Sequence, residues 1–147
     1  MPLELGEREP ELEALLSRYM NGCALKGPVY AFKQTGSTME EAHSLAAKGS
    51  PEGTIVFAQS QSQGRGRLGR VWDSPEGGAY FSIILRPKQL AADIPQLSLV
   101  TGLAAAEGLR QLCHIYPSIR WPNDVLINQK KLAGILVEAK NGGSLWA

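Results

Sequence analysis

RWPNDVLINQKKLAGILVE, residues 120–138, is the stretch of sequence that indicates the fold. Its apolar residues, with those just before it, form three short runs at 118–121, 125–128 and 131–138, and such runs bounded by turn residues predict strands. Asn128-Gln129-Lys130 supplies the tight connection between the second and third runs. The last third of the chain is therefore predicted to contain an antiparallel hairpin.

Upstream of this hairpin, the pattern predicts helices separated from a mostly antiparallel sheet. Leu12, Leu15, Leu16 and Tyr19 recur at helical spacing over 9–19, and Asn21-Gly22 ends that helix. The other predicted elements are a strand at 29–32, a helix from Gly36-Ser37-Thr38 to Gly49, a strand at 54–59, a strand at 79–85 and a helix at about 94–112. We expect an α+β fold with the helices packed to one side of the sheet.

Two of the predicted helices begin with capping signals. Ser37 and Thr38 each have a Glu three residues later, which is a capping-box pattern. Asp93 is placed to cap the helix that begins near 94. This last helix carries apolar residues on more than one face, so we expect it to be largely buried.

Length and composition predict one globular domain in a reducing compartment. The chain has 147 residues, of which 44% are hydrophobic, and a net charge of +1. A charge this small gives no general attraction to nucleic acid. Cys23 and Cys113 have no ligand-like neighbours and are expected to be buried thiols. No signal-like or membrane-spanning apolar run occurs, so a cytoplasmic protein without membrane association is predicted.

The most distinctive motif is GRGRLGR, residues 64–70, which follows a predicted strand and must form a loop. Glycines let the backbone approach an anion closely, and Arg65, Arg67 and Arg70 supply donors for phosphate or carboxylate oxygens. The motif is neither a Walker A loop nor a Rossmann fingerprint. A solvated basic loop or an RNA-binding Arg-Gly tract is the alternative interpretation.

The second motif, WPND, makes a turn between two predicted strands. It can place Asn123 and Asp124 side by side as oxygen ligands for Mg²⁺, with Lys131 nearby as a point charge for a carboxylate or phosphate. Taken alone, Pro-Asn-Asp is more often ordinary turn chemistry than a metal site.

Four motifs in order give the chain its resemblance to a known family: GST at 36–38, QSQGRGRLGR at 61–70, WPND at 121–124 and KKLAG at 130–134. Over residues 29–138 the chain resembles biotin–protein ligases. The resemblance implies a class II aminoacyl-tRNA-synthetase-like fold. It also implies a two-step activity that activates biotin with ATP to biotinyl-5′-AMP and transfers biotin to a lysine of a biotin carboxyl carrier protein.

The resemblance also implies roles for individual residues. Biotin would contact Ser37, Thr38, Gln61, Gly64, Arg65, Lys131 and Gly134. ATP would contact Arg65, Arg67, Arg70, Trp72 and Asn123, and Gly66 would allow close backbone approach. Arg65, Lys131 and Arg120 are the expected catalytic residues, and Asp124 with Asn123 would be the metal ligands. Ser37 and Thr38 have helix capping as an alternative role.

Three departures from the family pattern bear on function. Arg120 stands where the family usually has Lys, and Met39 stands where Asn is usual. The chain also ends before the family's last strands and C-terminal β domain. We therefore predict a single catalytic core over 1–147, with a helical extension at 1–28.

Other functions and assemblies stay open. A catalytically incomplete fragment that binds biotin or biotinyl-AMP is the main alternative, and an Arg-Gly nucleic-acid binder is a third. The helix at 9–19 is too short for a helix-turn-helix, so no DNA-binding domain is expected. An incomplete sheet with an unpaired edge suggests a homodimer.

Overall fold

The computed structural model describes residues 6–87, 94–140 and 144–146. Within these residues, three α-helices and nine strands follow one another. Their bounds are β1 Glu7–Arg8, α1 Pro10–Met20, β2 Val29–Thr35, α2 Thr38–Ala47, β3 Ile55–Gln61, β4 Tyr80–Leu85, α3 Ile94–Cys113, β5 Ser118–Arg120, β6 Asp124–Ile127, β7 Lys130–Gly134, β8 Glu138–Lys140 and β9 Ser144–Trp146. The predicted α+β class is confirmed.

The larger sheet has six strands in the order β1-β2-β3-β4-β9-β8. Adjacent strands in this sheet are antiparallel except for β2 and β3, which run parallel from the pair Val29↔Ile55 to the pair Thr35↔Gln61. Parallel neighbours need a crossover connection, and α2 lies within it. The residues that follow β2 and those that follow β3 therefore lie at the same edge of the sheet, where the functional site is built.

The core lies between this sheet and α2. Phe32, Val56, Ala58 and Ile84 from the strands form one buried cluster with Met39, Ala42 and Ala46 of the helix. The small alanines allow the helix backbone to lie close to the strands. This packing fixes the position of the first turn of α2, which starts at the site.

A second sheet contains β5, β6 and β7, and α3 packs against its first two strands. The predicted hairpin is confirmed: Ile127 pairs with Lys130. The intervening Asn128 and Gln129 have φ values of +48° and +63°. Positive φ at both central residues gives a turn whose twist suits an antiparallel hairpin.

The single strand predicted at 131–138 is wrong. Strand β7 ends at Gly134, and Glu138 begins β8 in the other sheet. After Gly134, the Ile135 N–H donates 2.8 Å to the carbonyl of Asn123. The apolar run Ile135-Leu136-Val137 is compatible with a continuous strand, so periodicity alone did not reveal where the chain changes sheets.

Helix α3 is much less buried than predicted. Gly102 and Ala106 face inward, whereas Leu99, Val100 and Leu103 are 44%, 59% and 61% exposed. Within the described part of the chain, only one face of the helix is covered, so an apolar composition on several faces did not mean burial. The expected cap at Asp93 lies outside the described residues.

Two local predictions also fail. Cys23 and Cys113 are exposed free thiols rather than buried ones. Ser37 occupies the position before α2, but its side chain makes no capping hydrogen bond. Glu41 instead accepts a 2.7 Å hydrogen bond from the Thr35 hydroxyl.

None of the described helices is both long enough and apolar enough to cross a membrane.

Candidate functional site

One wall of the candidate site is a hydrogen-bonded set of polar side chains at the edge where β2 and β3 end. The side-chain oxygen of Gln61 accepts from the Thr38 backbone N–H at 2.8 Å and from the Thr38 hydroxyl at 3.1 Å. The Gln61 amide nitrogen donates to the Ser74 hydroxyl at 3.0 Å, and the Thr38 hydroxyl lies 2.9 Å from that of Ser82. Ser37 and Thr38 are both buried here. We call Thr38, Gln61, Ser74 and Ser82 the polar wall.

The arginine loop, residues 64–72, begins directly beside this wall. The Gly64 carbonyl accepts from the Trp72 N–H at 2.9 Å, and the Gly66 N–H donates to the Arg70 carbonyl at 2.8 Å. A side chain at Gly64 would overlap the Trp72 carbonyl oxygen and the Ser74 hydroxyl. The sequence prediction of a loop is confirmed, and inside it Leu68 and Gly69 have φ values of +59° and +72° in a tight turn closed by the Arg70 N–H and the Arg67 carbonyl. Glycine at 64 is thus required by close packing of the loop's two ends.

Arg65 is held between two carboxylates from different elements. Its Nη1 donates to Glu40 Oε1 on α2, and its Nη2 donates to Glu138 Oε1 on β8 at 2.8 Å. The other oxygen of Glu138 lies 2.9 Å from His43 Nε2. The Arg65 side chain remains 41% exposed, so the guanidinium is anchored but accessible.

A second group of charges surrounds Asp124 in the three-stranded sheet. Arg120 Nη2 lies 2.7 Å from Asp124 Oδ2, and Lys131 Nζ lies 2.6 Å from Oδ1. Burial raises the pKa of Asp124, but its contacts with Lys131 and Arg120 lower it, and the pKa lies below its ordinary value. The Asp124 carboxylate thus keeps both cations in place.

Lys131 also contacts the far end of the arginine loop. Its Nζ lies 4.8 Å from the centre of the Trp72 ring, in cation–π geometry. An added Cβ at Gly134 would lie 3.1 Å from Lys131 Nζ and 3.4 Å from the Trp72 ring. Glycine at 134 therefore leaves room for these two side chains.

Asn123 gives the loop another contact with the WPND turn. Arg67 Nη1 lies 3.4 Å from Asn123 Oδ1, while Asn123 Nδ2 donates to the Ile135 carbonyl at 3.1 Å. The arginine loop thus joins the polar wall at its start, Asn123 at its middle and Lys131 at its end. Arg70 is exposed at the end of the tight turn that contains Leu68 and Gly69.

The donors around Asp124 do not fit a magnesium ion held directly by Asp124 and Asn123. Both Asp124 oxygens contact cations, and the Asn123 side-chain oxygen faces Arg67. Among the described residues, no group of three or more His, Cys, Asp or Glu side chains is arranged to hold a metal ion. Asp124 and Asn123 therefore do not form a direct magnesium site.

Several site residues could not be found from sequence motifs. Glu40 on α2 and Glu138 on β8 both bind Arg65, and His43 on α2 contacts Glu138. Ser74 and Ser82 complete the polar wall from positions outside the four motifs. Of these residues, only Glu138 lies within the 120–138 stretch that indicates the fold.

One protein-family model matches most of the chain. The profile of the biotin/lipoate A/B protein ligase family matches residues 31–146. The bifunctional ligase/repressor BirA of Bacillus subtilis is 48% identical over 103 residues, which cover 69% of this chain and 32% of BirA. The biotin–[acetyl-CoA-carboxylase] ligase of Paracoccus denitrificans is 42% identical over 112 residues, covering 75% of this chain and 46% of that ligase.

Solved structures agree with this similarity. The Aquifex aeolicus biotin protein ligase in complex with biotin and ATP is 41% identical and matches with a TM-score of 0.71 over 80% of this chain and 49% of that one. The Leishmania major biotin protein ligase in complex with biotinyl-5-AMP is 29% identical, with a TM-score of 0.71 over 80% of this chain and 54% of its own. The chain spans between 32% of the Bacillus relative and 54% of the Leishmania structure.

Proposed function

The chain belongs to the biotin/lipoate A/B protein ligase family, and from that premise we propose that it is the catalytic core of a biotin–protein ligase. The proposed reaction activates biotin with ATP and transfers it to a lysine of a biotin carboxyl carrier protein in the cytoplasm. The observation that carries the proposal is the placement of the arginine loop. It connects the polar wall with Lys131, so that groups suited to a neutral polar ligand and groups suited to anions border one site.

The polar wall is the proposed binding surface for the biotin ring system. Ser37, Thr38 and Gln61 are buried or half-buried polar residues, and the wall fixes the orientation of the Gln61 amide. Polar groups held in one orientation give a ligand specificity as well as affinity. Gly64 keeps the adjoining backbone close to this wall.

The first proposed step joins two anions. A biotin carboxylate oxygen attacks the α-phosphorus of ATP, the bond to the bridging oxygen breaks, and pyrophosphate leaves with the electron pair. Positioning and stabilisation of charge on the phosphate oxygens are the main sources of acceleration in such a step. We assign these roles to Arg65 and Lys131, with Arg120 supporting Lys131 through their shared partner Asp124.

The second proposed step consumes the mixed anhydride. A neutral lysine amine of the acceptor attacks the biotinyl carbonyl carbon, AMP leaves, and the nitrogen loses a proton to give an amide. Arg67 and Arg70 are proposed to order the loop over the intermediate and to exclude water. Trp72 is proposed to lie beside the adenine on the ring face that Lys131 does not cover. A magnesium ion bound with ATP would be held by the phosphates rather than by Asp124 or Asn123, because the side-chain oxygens of both residues already contact Arg or Lys side chains.

Biotin-dependent release of pyrophosphate from ATP tests the proposal, with transfer to a biotin carboxyl carrier protein measured on the same preparation. Release and transfer that both require biotin support a complete ligase. Because the chain spans only part of its relatives, the second candidate is a fragment that binds biotin or biotinyl-AMP without turnover. Calorimetric binding without pyrophosphate release identifies that fragment, and absence of both contradicts either function.

We also propose that the protein forms a homodimer. Sedimentation at micromolar protein concentration tests this. Binding of RNA that weakens steeply with salt would instead support the nucleic-acid alternative for the arginine loop.

A further inference from the structure

Arg65, in the arginine loop, forms ion pairs with two carboxylates. Glu40 approaches one terminal nitrogen from α2, and Glu138 approaches the other from β8. Behind Glu138, His43 contacts the remaining carboxylate oxygen, and the His43 side chain is only 5% exposed. We call Glu40, Glu138 and His43 the Arg65 clamp.

The clamp joins parts of the fold that are distant in sequence. Arg65 and Glu138 are 73 residues apart, and His43 and Glu138 are 95 apart. Glu40 and His43 are three residues apart on α2, so they lie on the same side of that helix. The clamp therefore uses the buried helix as its base, while the guanidinium remains near the surface.

The loop backbone is held on both sides of Arg65 by the hydrogen bonds of Gly64 and Gly66 to Trp72 and Arg70. These bonds do not fix the arginine side chain, which is long and flexible. A guanidinium has five N–H donors, and the clamp engages the two terminal nitrogens through one hydrogen bond each. Three donors remain for oxygens of a ligand.

We propose that Glu138, held by His43, is a positioning residue that aims Arg65 at the anionic part of the substrate. This inference rests on the proposed function, in which Arg65 binds the biotin carboxylate and the phosphate. A carboxylate near an anionic ligand is unfavourable by charge alone. Its presence beside Arg65 is therefore accounted for by geometry: Glu138 restricts the guanidinium before the ligand arrives.

Two substitutions of Glu138 distinguish a positioning role from simple competition with the ligand for Arg65. Glu138→Gln keeps an oxygen for Arg65 and removes the charge, and its amide can donate to His43 Nε2 once the imidazole carries its proton on Nδ1. Affinity for an anionic ligand should then equal or exceed that of the unmodified protein. Glu138→Ala removes the support for Arg65, and misplacing a binding group costs on the order of ten- to a hundredfold. If Glu138 only competed with the ligand for Arg65, Glu138→Ala should bind more tightly.

The test measures the dissociation constant of a non-hydrolysable biotinyl-AMP analogue by calorimetry for the full chain and both variants. We expect at least tenfold weaker binding for Glu138→Ala, near-normal binding for Glu138→Gln, and no further loss when Glu138→Ala is added to Arg65→Ala. Equal or tighter binding by Glu138→Ala, or additive losses in the double variant, would overturn the inference. Glu107→Ala is the matched control because Glu107 pairs with Arg110 on α3, away from the site.

Nitrogen NMR of the ligand-free protein separates this inference from the proposed function. Slow rotation of the Arg65 guanidinium in the unmodified protein, and faster rotation in Glu138→Ala, are expected if the clamp restrains it. Tight binding of the analogue with no difference between the variants overturns positioning but leaves the ligase proposal standing. Failure of the unmodified protein to bind the analogue contradicts the proposed function, and the inference fails with it.

Discussion

Replacing Lys131 with methionine should weaken biotin binding far more than it weakens the fold. Methionine keeps an unbranched apolar stem against Trp72 but removes the ammonium that lies 2.6 Å from Asp124 and 4.8 Å from the Trp72 ring centre. The substitution therefore tests the charge of Lys131 while disturbing its packing little.

The two expected magnitudes differ enough to be distinguished. The Lys131 side chain is 34% exposed and that of Asp124 is 13% exposed. A partly exposed ion pair contributes about 0–1 kcal/mol to stability, and a cation–π contact contributes about 0.5–1 kcal/mol. A charge-assisted hydrogen bond to the biotin carboxylate is worth roughly 1.5–3 kcal/mol, which corresponds to about tenfold to a hundredfold in Kd.

Biotin titrated calorimetrically into the unmodified protein and into Lys131→Met gives the binding change, and urea unfolding gives the stability change. Lys130→Met is the matched control because Lys130 is the exposed neighbour at the start of the same strand. Lys131→Arg should restore binding only in part, because a planar guanidinium does not occupy the space of an ammonium.

Equal biotin affinities for the unmodified protein and a folded Lys131→Met variant would refute the reasoning and remove Lys131 from the biotin site. The same loss in Lys130→Met would show that general surface charge, rather than a specific contact, governs binding.

Three further predictions concern the rest of the site. Arg65→Ala should abolish biotin-dependent pyrophosphate release while the melting temperature changes little, since Arg65 is partly exposed; a large drop in melting temperature would make its role structural. Gly64→Ala should destabilise the protein by about 1–3 kcal/mol in urea unfolding, because the new methyl group overlaps the Trp72 carbonyl, and an unchanged stability would contradict that packing. The pKa of Asp124 is lowered in the fold, so its stabilising contribution is present above the ordinary carboxyl pKa of about 3.9 and is lost as the pH falls through the lower folded value. The stability difference between the unmodified protein and Asp124→Asn, measured by urea unfolding, should therefore be constant from neutral pH to about pH 5 and shrink in stronger acid; a difference independent of pH down to pH 2 would contradict this.

Local sequence signals predicted most elements because those elements depend on nearby residues. The Asn128-Gln129 turn and the apolar alternation around it lie within one short stretch, and the hairpin formed as expected. Helix α3 shows the limit of this reasoning: its sequence reports which residues are apolar, but its burial depends on which other elements cover it.

The site was predictable only where its chemistry lies within motifs. The glycines and arginines of the loop indicated an anion site, but nothing near Arg65 in sequence identifies Glu138 as its partner. Thr38 shows a related difficulty. Its position suggested either a helix cap or a ligand contact, whereas its hydroxyl bonds to Gln61 and Ser82, from two strands that the sequence did not place beside it.

The hydrogen bonds of Gln61 have a consequence for the thermodynamics of binding. Its oxygen accepts from Thr38 and its nitrogen donates to Ser74, so the fold itself holds the amide in one orientation. Immobilising a glutamine side chain costs about 1.5–2 kcal/mol of conformational entropy, and here that loss occurs during folding. A ligand that lies against the polar wall meets a preorganised surface, so more of its contact energy remains as affinity.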